Sequence, residues 1–255
     1  MPRSPRPADE ADSETTEDTL LGGRVTLIQP RRGFRSSLDP VLLARFLAPP
    51  YGRFLDIGCA TGALSFSLLA GDARASGVGV ELQPRLARLA ALGRERNAVV
   101  ERFKLLEGDV RVPATTVGLG LESFDLVATN PPFRRVERGQ SSPDGERAVA
   151  NHEVTLTLVE WLEVARRLVK VGGRVGVVYA AERLPELLGG LSERDLTPVR
   201  LRAVHPFADR AAVRVLVEAQ RGSRRPLAIE APLILHEGDP PRFTEQARAL
   251  LEARE

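Results

Sequence analysis

From Arg53 onward, short apolar runs alternate with stretches whose apolar residues recur at helical spacing. "RFLDIG" is a strand ending in an acid and a glycine, and "TGALSFSLLAG" follows as a helix closed by Gly71. "GVGVE" is a second strand, again ending in an acid. In "QPRLARLAALGRERN" Leu86, Leu89, Ala90 and Gly93 fall on one helical face, with arginines elsewhere. "RFKLLEGD" and "FDLVATN" are the third and fourth strands. A long helix is predicted over roughly "HEVTLTLVEWLEVARRLVK", with Trp161 on its core side, and "GGRVGVVYA" is the fifth strand. "PVRLRAVHP" and "AAVRVLVEAQRG" read as two more, forming an antiparallel pair. This order predicts an α/β fold: a mainly parallel seven-stranded sheet with a C-terminal antiparallel strand pair and helices on both faces. Such sheets bind ligands beyond the carboxyl ends of their strands, and the acids, glycines and asparagine fall there.

Ahead of this core, Met1 to Asp18 is rich in Pro, Asp, Glu and Thr and poor in apolar residues, and is expected to be a disordered acidic tail. "TLLGGRVTLIQP" predicts a strand or hairpin, and "SSLDPVLLARFL" a capped helix stopped by Pro49 and Pro50. Residues 19–255 then form one domain. Residues 19–50 cover the site, 51–222 are the core, and 223–255 are a C-terminal extension.

Composition narrows the class. The chain has 255 residues, is 43% hydrophobic and contains no apolar run near the length of a membrane span. Its start lacks the order of a signal peptide, and the single cysteine, Cys59, fits a reducing cytoplasm. Net charge is only +2, but Asp9 to Asp18 is acidic with no basic residue, so the remainder is more basic than the total, and it is rich in arginine. Arginine suits phosphate recognition, although high genomic GC content gives the same bias.

"DIGCATG" sets Asp56, Gly58, Cys59, Ala60, Thr61 and Gly62 after the first core strand. Small residues there let backbone approach a ligand. The loop lacks the G-x-G-x-x-G spacing of dinucleotide-binding folds. It matches the D-x-G-x-G-x-G loop of S-adenosylmethionine-dependent methyltransferases, with Ala60 at the middle glycine. Cys59 has no base paired with it and is expected to be a loop residue near the ligand. Glu81, followed by Leu82, ends the next strand, where a carboxylate can accept both ribose hydroxyls. Asp109, followed by Val110, ends the third, where an acid beside a backbone amide can read an adenine edge. Each acid alone is a solvated strand end. Their joint placement after a glycine loop points to S-adenosylmethionine as cofactor.

"NPPF", Asn130 to Phe133, closes the fourth strand. Asn-Pro is a common turn initiator, but this turn lies where the reactive methyl would sit. An exocyclic amine is a weak nucleophile because its lone pair is delocalised. The Asn130 side-chain oxygen and the Pro131 carbonyl can both accept its hydrogens, with Pro131 and Pro132 stiffening the turn. Phe133 offers a face for a flipped-out base.

The NPPF motif resembles the [DNS]-PP-[YFW] of amino-group methyltransferases. "GRVTLIQPRRGFRSSLDPVLLARFL", "NPPF", "ANHE" and "VHPFADRAAVRVLVEAQRG" together resemble the bacterial tRNA1(Val) adenine-N6 methyltransferase family, and "PLILHEGDPPRFTEQARALLE" is similar to its ending. The resemblance covers nearly the whole chain after the acidic tail. It implies a Rossmann-like class I methyltransferase that modifies the adenine 3′ of the anticodon. Ala60 and Asn151 depart from the family's usual residues.

Phe34 and Ser37 are expected to help cover the cofactor, although Ser37 or Asp39 also suits a helix cap. Arg31, Arg32, Arg35, Arg134, Arg135 and Arg138 flank the two functional segments as candidate RNA contacts. His205 and Arg210 are placed near the substrate face. His152 and Glu153 have no second histidine at helical spacing, so no metal site is expected. No membrane and no obligate protein partner is indicated; tRNA is the expected partner. The alternatives are an rRNA guanine-N2 or protein-glutamine N5 methyltransferase, or a non-catalytic RNA- or S-adenosylmethionine-binding module.

Overall fold

A computed structural model describes residues 14–131 and 156–252. The chain opens with a hairpin, β1 (Thr15–Leu20) and β2 (Val25–Pro30), followed by helix α1 (Asp39–Phe46). Then come β3 (Arg53–Ile57), α2 (Ala63–Gly71), β4 (Ser76–Glu81), α3 (Pro84–Arg96) and β5 (Phe103–Glu107). A short turn of helix, α4 (Pro113–Thr116), leads to β6 (Phe124–Thr129). The chain continues through α5 (Leu158–Leu168), β7 (Val169–Ala180), α6 (Leu184–Ser192), β8 (Leu196–His205) and β9 (Arg214–Arg221). Four two-residue strands, β10 (Ala228–Ile229), β11 (Leu233–Ile234), β12 (His236–Glu237) and β13 (Arg242–Phe243), precede α7 (Glu245–Glu252).

The central strands run in the order β8-β9-β7-β6-β3-β4-β5. All neighbours among β7, β6, β3, β4 and β5 are parallel, and β9 is antiparallel to both β7 and β8. These are the seven strands expected. β10 and β11 add to the outer edge of β8, both parallel, bringing the sheet to nine. Both faces are buried. Phe54, Leu126, Ala128 and Val178 join one core with α1 and α2, while Leu55, Ile57, Val127 and Val177 join another with α5. Adjacent strand residues thus face opposite layers, which is why the strands read as continuous apolar runs. Trp161 is fully buried in the second core, as expected.

Two boundaries differ from the sequence expectation. The tail was expected to be disordered through Asp18, yet β1 begins at Thr15 and pairs with β2 in unbroken register. Its acids are matched to arginines remote in sequence: Glu14 to Arg85 at 3.6 Å, Glu17 to Arg96 at 2.6 Å and Asp18 to Arg35 at 2.7 Å. The long helix was expected from about His152, but its described part starts at Leu158. There Thr157 and Glu160 form a capping box that sets the helix start. No helix among the described residues is long and apolar enough to cross a membrane.

Candidate active site

A cavity of about 340 Å³ opens at the carboxyl ends of β3, β4, β5 and β6. That volume suits a small-molecule site, which typically measures ~300–1,000 Å³. Of the residues singled out in the sequence, Phe34, Arg35, Ser37, Asp39, Asp56, Gly58, Cys59, Ala60, Thr61, Glu81, Leu82, Asp109, Val110, Asn130 and Pro131 line it.

The loop after β3 is built by its backbone. The amides of Gly58 and Cys59 both donate to the Val80 carbonyl, at 2.9 and 3.1 Å, tying the loop to β4. Gly58 has φ +72°, and a Cβ there would project into open space. Gly62 does not line the cavity. Its φ of +91° starts α2, and a Cβ would run into the Phe66 ring, so this glycine serves packing. Ala60 also adopts a left-handed conformation, φ +48°. Its methyl packs with Phe34 against Ile28, Leu86 and Leu89, which offsets the strain that glycine would avoid.

The three acids are in different states. Asp56 is 1% exposed and receives the Ser65 hydroxyl at 2.6 Å. Burial pushes its carboxyl up to about 7, and the nearby Glu81 charge adds to this, while the Ser65 hydrogen bond opposes it. Glu81 is also raised, by burial first, against hydrogen bonds from backbone amides. Its two oxygens accept the Ala60 and Gln83 amides at 2.9 and 2.8 Å. Each oxygen keeps a second lone pair, enough for two ribose hydroxyls. Asp109 was expected at a strand end where it can read an adenine edge. It is gripped by Arg111, with 2.6 Å between Nη2 and Oδ2, and this contact holds its carboxyl below the ordinary range. Arg111 continues to Glu160 at 3.0 Å. Cys59 is buried, and burial pushes its thiol well up, which suits a packed loop residue and not a nucleophile.

Two buried oxygens on the cavity wall, Thr61 Oγ1 and Asn130 Oδ1, have no hydrogen-bond partner among the described residues. Buried polar atoms are normally satisfied, so on the cavity wall both are available to a ligand. Asn130 follows Thr129, whose hydroxyl donates to the Ile57 carbonyl at 2.9 Å and fixes the end of β6 against β3.

Arg35 was expected as an RNA contact, but its guanidinium donates to Asp18, Thr16 and the Pro30 carbonyl. Arg31 and Arg32 are exposed just beyond β2 and do not line the cavity. Pro132, Phe133, Arg134, Arg135 and Arg138 lie outside the described residues. Sequence reasoning missed Ser36, Gln83, Leu86, Leu156 and Arg214 in the wall. Arg214 reaches it from β9 by pairing with Asp39 at 3.1 Å, a contact with no local sequence signal.

A parallel sheet in this strand order, a glycine-lined cleft at its carboxyl edge and acids on successive strand ends define a class I S-adenosylmethionine-dependent methyltransferase. The chain belongs to the methyltransferase small domain family, which matches residues 38–182. A relative from Porphyromonas gingivalis named tRNA1(Val) (adenine(37)-N6)-methyltransferase is 29% identical, over 76% of this chain and 78% of its own. A release factor glutamine methyltransferase from Caulobacter vibrioides is also 29% identical, over 84% of this chain and 70% of its own. Among solved structures, a predicted O-methyltransferase from Agrobacterium tumefaciens superposes with a TM-score of 0.67 at 27% identity, covering 83% of this chain and 94% of that one.

Proposed function

We propose that the chain methylates the exocyclic N6 of an adenine in tRNA, the adenine 3′ of the anticodon in tRNA1(Val). The observation that carries this is the buried Oδ1 of Asn130 on the cavity wall at the end of β6, which has no hydrogen-bond partner among the described residues. An orphaned acceptor suits a donor with hydrogens to give, and an exocyclic amine brings two. The Pro131 carbonyl, on the adjacent residue of the wall, is the second acceptor. Together they favour a more tetrahedral nitrogen with its lone pair available. The cofactor's residues are Asp56, Gly58, Ala60, Thr61, Glu81 and Asp109, with Glu81 accepting ribose hydroxyls through its remaining lone pairs. S-adenosylmethionine, when bound, supplies an electrophilic methyl. The proton leaves the methylated amine for solvent, so no strong base is required at Asn130. A flipped base stacks on Phe133, and Arg31, Arg32, Arg134, Arg135 and Arg138 are the candidate phosphate contacts. The relative's name and the family landmarks across the chain support adenine in tRNA as the substrate.

An amide nitrogen of a protein glutamine would meet the same acceptors, and the Caulobacter relative's name makes this the second reading. The test is incubation with labelled S-adenosylmethionine and, separately, tRNA, rRNA, DNA and release factor. Label recovered as N6-methyladenosine in tRNA is expected; transfer to protein glutamine alone overturns the proposal. Asn130→Ala should slow transfer by on the order of 10²–10³-fold, the loss typical of one preorganised polar group. Its affinity for S-adenosylhomocysteine, measured by calorimetry, should stay near wild type. A collapse of that affinity would move Asn130 from substrate to cofactor.

A further inference from the structure

The segment that brings Phe34 to the cavity is held by a polar network no motif announces. Gln29 is 5% exposed, and both ends of its amide are used. Its Oε1 accepts the Ser36 amide at 2.7 Å, and its Nε2 donates to Asp18 Oδ2 at 3.0 Å. The same Asp18 oxygen accepts the Thr16 hydroxyl at 2.9 Å and Arg35 Nη2 at 2.7 Å. Arg35 Nη1 donates to Thr16 Oγ1 at 2.8 Å and to the Pro30 carbonyl at 3.1 Å. Residues 35 and 36 are thus fastened to β1 and β2 on either side of the turn, and both line the cavity. Phe34 beside them packs on the small cluster of Ile28, Leu86 and Leu89, the same cluster that Ala60 of the glycine loop packs on. Burial would raise the Asp18 carboxyl, but hydrogen bonds from Thr16 and Gln29, together with the Arg35 charge, hold it below its ordinary value.

We propose that Asp18 and Arg35 are positioning residues for the cofactor, clamping residues 34–36 against the glycine loop so that the cavity wall is formed before the ligand arrives. An isolated surface ion pair contributes little. This pair is joined to a buried glutamine and a backbone carbonyl, so its loss frees a wall segment and weakens binding by removing preorganisation. The inference rests on reading the cavity as the cofactor site, and it is independent of which acceptor is methylated.

The experiment is calorimetric titration of the full chain with S-adenosylhomocysteine, without RNA. Asp18→Ala and Arg35→Ala should each weaken binding by about tenfold, equivalent to ~1.4 kcal/mol. The double variant should be no worse than either single, because one clamp is broken in each case. Thr16→Val, which keeps a β-branched strand residue, should weaken binding in the same direction if Asp18→Ala proves too unstable to titrate. Arg96→Ala removes the neighbouring Glu17 pair on the same hairpin and should leave affinity unchanged. Wild-type affinity in both Asp18→Ala and Arg35→Ala would overturn the clamp. Equal losses in all variants including Arg96→Ala would also overturn it, as general loosening of the hairpin. If the wild-type chain does not bind S-adenosylhomocysteine, the cofactor reading itself fails and the clamp with it.

Discussion

At the scale of single residues, burial decides what each acid can do. Asp56 lies beneath the cavity with a carboxyl pushed up to about 7 by burial. An unfolded aspartate titrates near ~3.9. Between those values the folded chain holds a proton that the unfolded chain has released. The native state binds more protons, so stability falls as pH rises through this window and is flat above it. The upper bound is about 4 kcal/mol, three pKa units at 1.36 kcal/mol each. Asp56→Asn cannot titrate and should reduce that slope to the part that Glu81, also raised by burial, contributes. In ligand-free thermal melts it should exceed wild type at pH 8, and the difference should vanish near pH 4. A wild-type melting temperature independent of pH between 5 and 8 would show that Asp56 stays charged in the fold. Asp18, Asp72, Asp109, Asp125 and Glu160 are shifted downward, so their losses come as pH falls toward and below the ordinary carboxylate range and stay out of the pH 5–8 comparison.

Elements were legible in the sequence where their pattern is local. The alternation from Arg53 to Arg221 gave every central strand because both faces of this sheet are buried and its strands each carry a local apolar run. β1 was not legible, because its acids face arginines 17 to 79 positions away and an isolated stretch of Thr, Glu and Asp reads as solvated chain. The glycine loop, Glu81 and Asn130 were readable because strand ends fix where they point. Arg214 and Ser36 were not, because only tertiary contacts bring them to the wall. The start of α5 carried a local signal in "TLVE". Thr157 accepts the Glu160 amide, and the Thr157 amide donates to Glu160 at 2.8 Å. The same carboxylate side chain pairs with Arg111, which holds Asp109. Glu160→Ala should therefore cost about 1 kcal/mol, as a lost cap does. It should also lower affinity for S-adenosylhomocysteine modestly by loosening Arg111 on Asp109. Urea denaturation with and without ligand separates the two effects. A stability loss with unchanged ligand affinity would confine Glu160 to the cap.

At the scale of the whole molecule, the C-terminal segment closes on the N-terminal hairpin. β10 and β11 cover the edge of β8, and Leu233 is fully buried in the core that α1 and α2 share. Ala247 of α7 is buried, and Leu250 and Leu251 pack on that same core. The turn between β1 and β2 sits under the end of α7: Gly22 has φ +62°, and a Cβ there would strike the Glu252 carbonyl. The C-terminal segment therefore buttresses the hairpin, whose Leu20, Val25 and Leu27 meet the same core and share a face with Asp18 and Gln29. Removing residues 223–255 should have two consequences. Loss of Leu233 alone is comparable to a buried leucine truncation, ~2–5 kcal/mol, and the uncovered β8 edge favours association. The hairpin also loses its support, so affinity for S-adenosylhomocysteine should fall as it does in Asp18→Ala. Combining the truncation with Asp18→Ala should then add little to that loss, because both act through the same wall segment. Additive losses would mean that the C-terminal segment reaches the cavity by a route other than the hairpin. A truncated chain that melts and binds like the full one would make residues 223–255 an appendage.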